Sequence, residues 1–165
     1  IGNQVSTVEL GKQLGLDKKT VQRYLDLLEK SFVLIPLGGF SRNLRKEVSK
    51  MKMYYFMDLG IRNAVIANFN SLNLRNDVGQ LWENFMLIER MKRNEYQRRS
   101  VNYYYWRTYD QKEIDLIEES GGSLHGFEFK WNLTRKTKAP KEWLNTYENA
   151  EFEIISKENY QDFVL

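Results

Sequence analysis

The sequence predicts an α+β protein in which a small N-terminal helical part with a β-rich tail is followed by a larger part built on a mixed central sheet. Two short helical periodicities flank Gly15, a long apolar-rich helix spans about Val78 to Asn94, and strand-like runs separated by polar turns follow it. These three observations carry the prediction.

From Ser6, the apolar residues Val8, Leu10 and Leu14 recur at near-helical spacing, with Ser6 or Thr7 as N-cap and Glu9 placed to complete a capping box. Gly15 stops that helix. Asp17 restarts one, in which Val21, Tyr24, Leu25 and Leu28 form an apolar stripe while Lys18, Lys19, Gln22 and Arg23 are left to solvent. Two short helices joined by a tight Gly-containing turn read as helix-turn-helix. Phe32 to Leu37 is β-rich, Gly38-Gly39 reads as a turn, and Lys52 to Phe56 is a second β-rich run. These runs predict the two strands of a wing, with Arg42, Arg45, Lys46 and Lys50 in a basic loop between them. Residues 1–58 are thus expected to form a winged helix-turn-helix.

Residues 59–77 read as a connector with a short helix around Ile61 to Ala67. In the long helix, Leu81, Phe85 and Ile88 define one side and Trp82, Met86 and Leu87 cover much of the rest, so it is expected to pack on more than one neighbour. Val101 to Arg107, Glu113 to Glu118 and Leu124 to Trp131 then read as strands, with Gly121-Gly122 as a turn. Pro140 breaks a basic loop from Arg135 to Lys141, and a helix through Trp143 and Tyr147 leads to a last strand at Phe152 to Ile155.

At 165 residues and 42% hydrophobic, the chain can bury a real core as one domain or two. It contains no Cys, which excludes disulfides and thiolate metal sites and fits a reducing cytoplasm. Its apolar runs are far shorter than the roughly 20 residues that span a bilayer, so no membrane partner is expected. Position 1 is Ile, which suggests that the sequence starts inside a longer gene product. Residues 1–52 carry ten Lys or Arg against five Asp or Glu, whereas the rest of the chain has 15 against 17. A basic local field of this kind favours a polyanion such as DNA, although a solvated surface accounts for it equally well.

Period-2 geometry places Glu113 and Asp115 on one strand face with Ile114 and Leu116 on the other, and Glu128 and Lys130 opposite Phe127 and Phe129. On the long helix, Glu83 has Met86 and Leu87 at i+3 and i+4, so its carboxylate needs a partner. A hard cation such as Mg²⁺ would supply one, and Lys130 would add positive charge beside a phosphodiester. An exposed cross-strand ion pair explains Glu-x-Lys more simply, and that reading stays open. His125 is the single His and is read as structural or exposed, which argues against Ser-His-Asp chemistry. Tyr103, Tyr104, Tyr105 and Trp106 read as sheet packing rather than as a base-stacking platform.

Asp115, a Gly-containing hairpin and then Glu128-Phe129-Lys130 resemble the D…(D/E)-x-K signature of the restriction-endonuclease-like superfamily, and Glu83 matches the carboxylate from that fold's first helix. The stretches Lys52 to Asn63, Leu81-Trp82-Glu83-Asn84-Phe85 and Trp106-Arg107-Thr108 through Glu113-Ile114-Asp115 resemble, in order, the C-terminal region of a bacterial and archaeal AAA+ ATPase family. In that family an ATPase domain is followed by a winged helix and a nuclease-like domain. The resemblance implies that residues 78–165 form a PD-(D/E)XK nuclease-like, restriction-endonuclease-like α/β domain. It further implies Glu83, Asp115 and Glu128 as ligands of Mg²⁺ or Mn²⁺, Lys130 as electrostatic aid and Glu113 as a lesser contributor. No G-x-x-x-x-G-K-[ST] occurs, so ATP would enter only through a domain absent from this chain. Gln111 stands where relatives often have Gly.

The resulting expectation is a cytoplasmic DNA-binding and nuclease-like segment, with metal-dependent phosphodiester cleavage as the possible reaction. Lys18, Lys19, Gln22, Arg23, Arg42 and Arg45 would meet the duplex. A non-catalytic DNA- or protein-binding module tethering the ATPase domain is the alternative, and an oligomerisation platform is a third.

Overall fold

A computed structural model of the chain describes residues 2–42, 51–133 and 138–165. Among these residues seven strands form one mixed sheet in the order β1-β3-β2-β4-β5-β6-β7. Arg45, Lys46 and Lys50 of the expected basic loop lie outside the described residues, as do residues 135–137.

Two short helices open the chain. Helix α1 (Thr7–Leu14) is capped by Ser6, whose hydroxyl accepts from Glu9 N, and ends at Gly15 with a left-handed φ of 66°. Helix α2 (Lys18–Lys30) starts at Asp17, which accepts from the amides of Lys19 and Thr20 at 2.9 and 3.0 Å. The tight turn requires a glycine at position 11, because a Cβ there would stand 2.6 Å from the Leu16 carbonyl oxygen. Val21 and Leu25 bury against Leu34 and Tyr54, whereas Tyr24 and Leu28 of the expected stripe are exposed. Helix α2 rests on the sheet by one narrow face only, and Val8 and Leu14 of α1 are exposed too.

Strand β1 (Gln4–Val5) pairs antiparallel with β3 (Lys52–Phe56), which pairs antiparallel with β2 (Leu34–Gly39). Two expectations fail here. Phe32 closes α2 in a left-handed conformation, φ 55°, instead of opening the strand. Gly38 and Gly39 do not turn; they continue β2 into a parallel pairing with Tyr104 and Tyr105 of β4 (Asn102–Arg107). Through them β2 bridges the N-terminal hairpin and the remaining strands.

Helix α3 (Leu59–Val65) and a short 3-10 turn (Leu72–Leu74) lead to α4 (Val78–Tyr96). Strands β5 (Glu113–Ser120) and β6 (Ser123–Phe129) form the predicted hairpin, and β7 (Ala150–Ile155) adds in parallel to β6. Helix α5 (Lys141–Thr146) precedes β7, and α6 (Tyr160–Val164) ends the chain. The sheet carries a core on each face. Met86, Leu87 and Ile88 of α4 pack with Tyr55, Tyr105, Leu116, Phe127 and Phe163 on one side. Trp143 of α5 packs with Phe40, Trp106, Ile114 and Ile117 on the other. The aromatic run of β4 alternates between them, as period 2 demands.

Candidate acidic site and basic surface

The acidic site forms around an irregularity in β5. Tyr104 pairs with Ile117 and Trp106 with Ile114, so one residue of β4 faces two of β5, Asp115 and Leu116. This is a β-bulge, a device that re-aims side chains. Its effect is visible in the packing: Ile114 joins the α5 core and Leu116 the α4 core. The expectation that Ile114 and Leu116 share a face is therefore corrected. Alternation breaks at Asp115.

Glu83 projects from the second turn of α4 and accepts a hydrogen bond from the Tyr55 hydroxyl at 2.7 Å. Asp115 Oδ2 accepts from the backbone amide of Phe129 at 2.7 Å, which ties the bulge to the end of β6. Glu128 Oε1 lies 2.5 Å from Lys130 Nζ, while Phe127 and Phe129 on either side of it pack into the α4 core as expected. Glu113 is exposed, 3.8 Å from Arg107. The backbone at Gly2, φ 67°, lies directly over Glu83, since a Cβ there would stand 2.6 Å from Glu83 Oε1.

The carboxylates and Lys130 perturb one another's proton affinities. Burial, then the charges of Glu128 and Glu83, hold the Asp115 carboxyl well above the ordinary aspartate range. Burial also raises Glu83, partly offset by Tyr55, and raises Glu128 against the opposing pull of Lys130. For Lys130, desolvation works downward, but Glu128, Asp115 and Glu113 outweigh it and its affinity for the proton rises. Asp115 thus senses the charges of both other carboxylates.

Mg²⁺ or Mn²⁺ prefers oxygen donors, and these residues supply them. Their arrangement does not suit the ion. Each carboxylate already has a protein donor, and among the described residues no group of three Asp, Glu, His or Cys side chains is placed to hold a metal. The three carboxylates are held by the Tyr55 hydroxyl, the Phe129 amide and the Lys130 ammonium.

The basic surface is partly as expected. Lys18, Lys19 and Arg23 of α2 are exposed. Gln22 is not free for a partner: half-buried, it donates to Asp26 at 2.9 Å. Arg42 pairs with Glu119 of β5 at 2.6 Å and lies over the Phe40 ring. Arg45 lies outside the described residues. His125 pairs with Glu151 at 2.5 Å, in keeping with a structural role.

Sequence reasoning missed three supports. Tyr55 lies inside the Lys52 to Phe56 run without any pattern marking it as the partner of Glu83. Asn84 is fully buried and clamps Phe56, accepting from its amide and donating to its carbonyl at 2.8 Å each. Its signal was its place in the Leu81-Trp82-Glu83-Asn84-Phe85 stretch. Arg90 makes a buried bidentate pair with Glu118 at 2.7 and 2.8 Å, which no local spacing marks.

A mixed α+β architecture, one seven-stranded sheet with a helix-borne carboxylate against a bulged strand, defines the class. The chain belongs to the family of the Domain of unknown function (DUF4143), which it matches over residues 78–163. Residues 1–74 match a second family, the Domain of unknown function (DUF8612). The chain is similar to Uncharacterized protein Rv2008c of Mycobacterium tuberculosis and Uncharacterized protein Mb2031c of Mycobacterium bovis, each 30% identical over 136 residues, or 81% of this chain. That similarity spans 30% of the length of each relative. No solved structure matches. No helix among the described residues is long and apolar enough to cross a membrane.

Proposed function

We propose that this chain is a DNA-binding, nuclease-like segment of an AAA+ ATPase-family protein. Residues 1–58 act as a winged helix, with α1 and α2 as the helix pair and β2 and β3 as the wing strands. Residues 78–165 form a restriction-endonuclease-like domain. The observation that carries the reading is the gathering of Glu83, Asp115, Glu128 and Lys130, from α4, β5 and the end of β6, at one bulged place in the sheet. Lys18, Lys19 and Arg23 supply backbone contacts to duplex DNA. In this arrangement the segment holds DNA without cutting it, while the ATPase part of the longer protein moves.

Metal-dependent cleavage is the second reading, favoured by the surplus of three carboxylates over one Lys. Thermal unfolding of the wild type and Asp115→Asn, with and without Mn²⁺, alongside plasmid nicking, separates the two. The holding function predicts no nicking and the same small metal response in both proteins. Nicking by the wild type that is lost in Asp115→Asn establishes cleavage instead. A selective stabilisation of the wild type by roughly 1 to 3 kcal/mol without nicking marks a metal site that only binds.

A further inference from the structure

Between α3 and α4 the chain is inverted, apolar outside and polar inside. Ile61, Val65, Ile66, Phe69, Leu72 and Leu74 are all exposed, with Val65 and Phe69 at 71% and Leu74 at 72%. Behind them lies a buried polar lock. Arg75 makes a two-pronged pair with Asp77 at 2.8 Å, donates to the Asn68 carbonyl at 2.6 Å and reaches Asn63 at 3.0 Å, while Arg62 meets Asp77 at 2.5 Å. The lock fixes the backbone that presents the apolar side chains, so docking would cost little ordering entropy.

The composition of this surface restricts its partner. Residues 63–74 contain no charged side chain, in a protein of which 28% of residues are charged. A nucleic acid or an acidic surface finds no cation there, and a charged protein partner finds no complement. A second copy of the same surface meets no like charge, which is what a two-fold interface requires, because each patch must accept itself. The size also fits. At about 200 Å² for a fully exposed residue of this size, these six, all within residues 61–74, expose on the order of 700 Å² in sum, near the ~800 Å² per partner of a standard interface.

We propose that the surface formed by Ile61, Val65, Ile66, Phe69, Leu72 and Leu74 is a homotypic interface through which two copies of this chain pair. It is independent of the DNA reading, because Lys18, Lys19 and Arg23 lie on a different helix.

Sedimentation equilibrium of the purified chain from about 1 to 200 μM tests it. Wild type is expected to move from one to two chain masses across that range, with little change between low and high salt since the contact is uncharged. Val65→Glu combined with Phe69→Glu is expected to weaken association at least tenfold while far-UV circular dichroism and duplex DNA binding stay unchanged. Leu74→Glu serves as a second variant should the double variant fail to fold, and Leu27→Glu on α2 is the control that leaves pairing intact. A wild type that stays monomeric at the highest concentration overturns the proposal, whether or not it binds neutral phosphatidylcholine vesicles. Pairing that survives the folded variants, or that Leu27→Glu abolishes, overturns it as well.

Discussion

At the scale of single residues, Asp115 is the group whose energetics say most about the site. Its carboxyl keeps its proton above the ordinary range because burial, and then Glu128 and Glu83, oppose the charged form. Stability linked to such a group is fully present below the unfolded value, near ~4, and is lost as pH rises through the folded value. Asp115→Asn is therefore expected to be more stable than wild type at neutral pH, the difference closing as the solution approaches about pH 4. Urea unfolding at a series of pH values measures this, and a pH-independent difference contradicts it. Gln111 is a second informative residue. It holds a left-handed φ of 61° in the turn between β4 and β5, which gives a physical reason why Gly suits that position. Gln111→Gly is expected to raise stability by about 0.5 to 1 kcal/mol, relief of strain exceeding the entropy that Gly adds to the unfolded chain. A loss of stability on the same urea titration contradicts the assignment of strain there.

At the scale of elements, the loop between α3 and α4 depends on Asp77. The Arg75 hydrogen bonds, offset in part by burial and reinforced by Arg62, hold its carboxyl far below the ordinary range, so the stability it supplies is present at neutral pH and disappears in strong acid. The Arg75 side chain is only 2% exposed, and Asp77→Ala leaves that charge uncompensated. A cost of about 3 kcal/mol is expected; a change under about 1 kcal/mol in thermal or urea unfolding would place this network among weak surface pairs. Elements of this size were unevenly legible in the sequence. The limits of α2 and β3 and the start of α4 followed from the Asp17 cap, β-rich composition and apolar periodicity, which are local, while α4 runs two residues past its expected end at Asn94. What escaped was set by distant partners: β2 runs through Gly38-Gly39 because β4 is there to pair with it, and Tyr24 is exposed because α2 meets the sheet along one face. The acidic residues were all named from spacing and resemblance, but the bulge that re-aims Asp115 was not, since it arises from register against Tyr105 and leaves no mark in β5 itself. Buried ion pairs such as Arg90–Glu118, 28 residues apart, are invisible to local pattern for the same reason.

At the scale of the whole molecule, β2 makes the sheet continuous, pairing with β3 on one edge and β4 on the other, and Asn84 fastens α4 to the end of β3. The helix pair and the larger sheet are thus expected to unfold in one transition, with circular dichroism and tryptophan fluorescence coinciding. Two separated transitions contradict that coupling. A rigid join would let a duplex held at α2 keep a fixed position relative to the acidic site. The central claim, that this molecule binds DNA through α2, is tested most directly by the salt dependence of duplex affinity for wild type and for Lys18→Ala, Lys19→Ala, Arg23→Ala combined. Binding by wild type should weaken steeply with salt. The triple variant should bind more weakly to every sequence, with a log–log slope flatter by roughly 2 to 3, close to 0.9 for each phosphate contact removed. Equal affinity and equal slope in the two proteins at low salt would contradict the account.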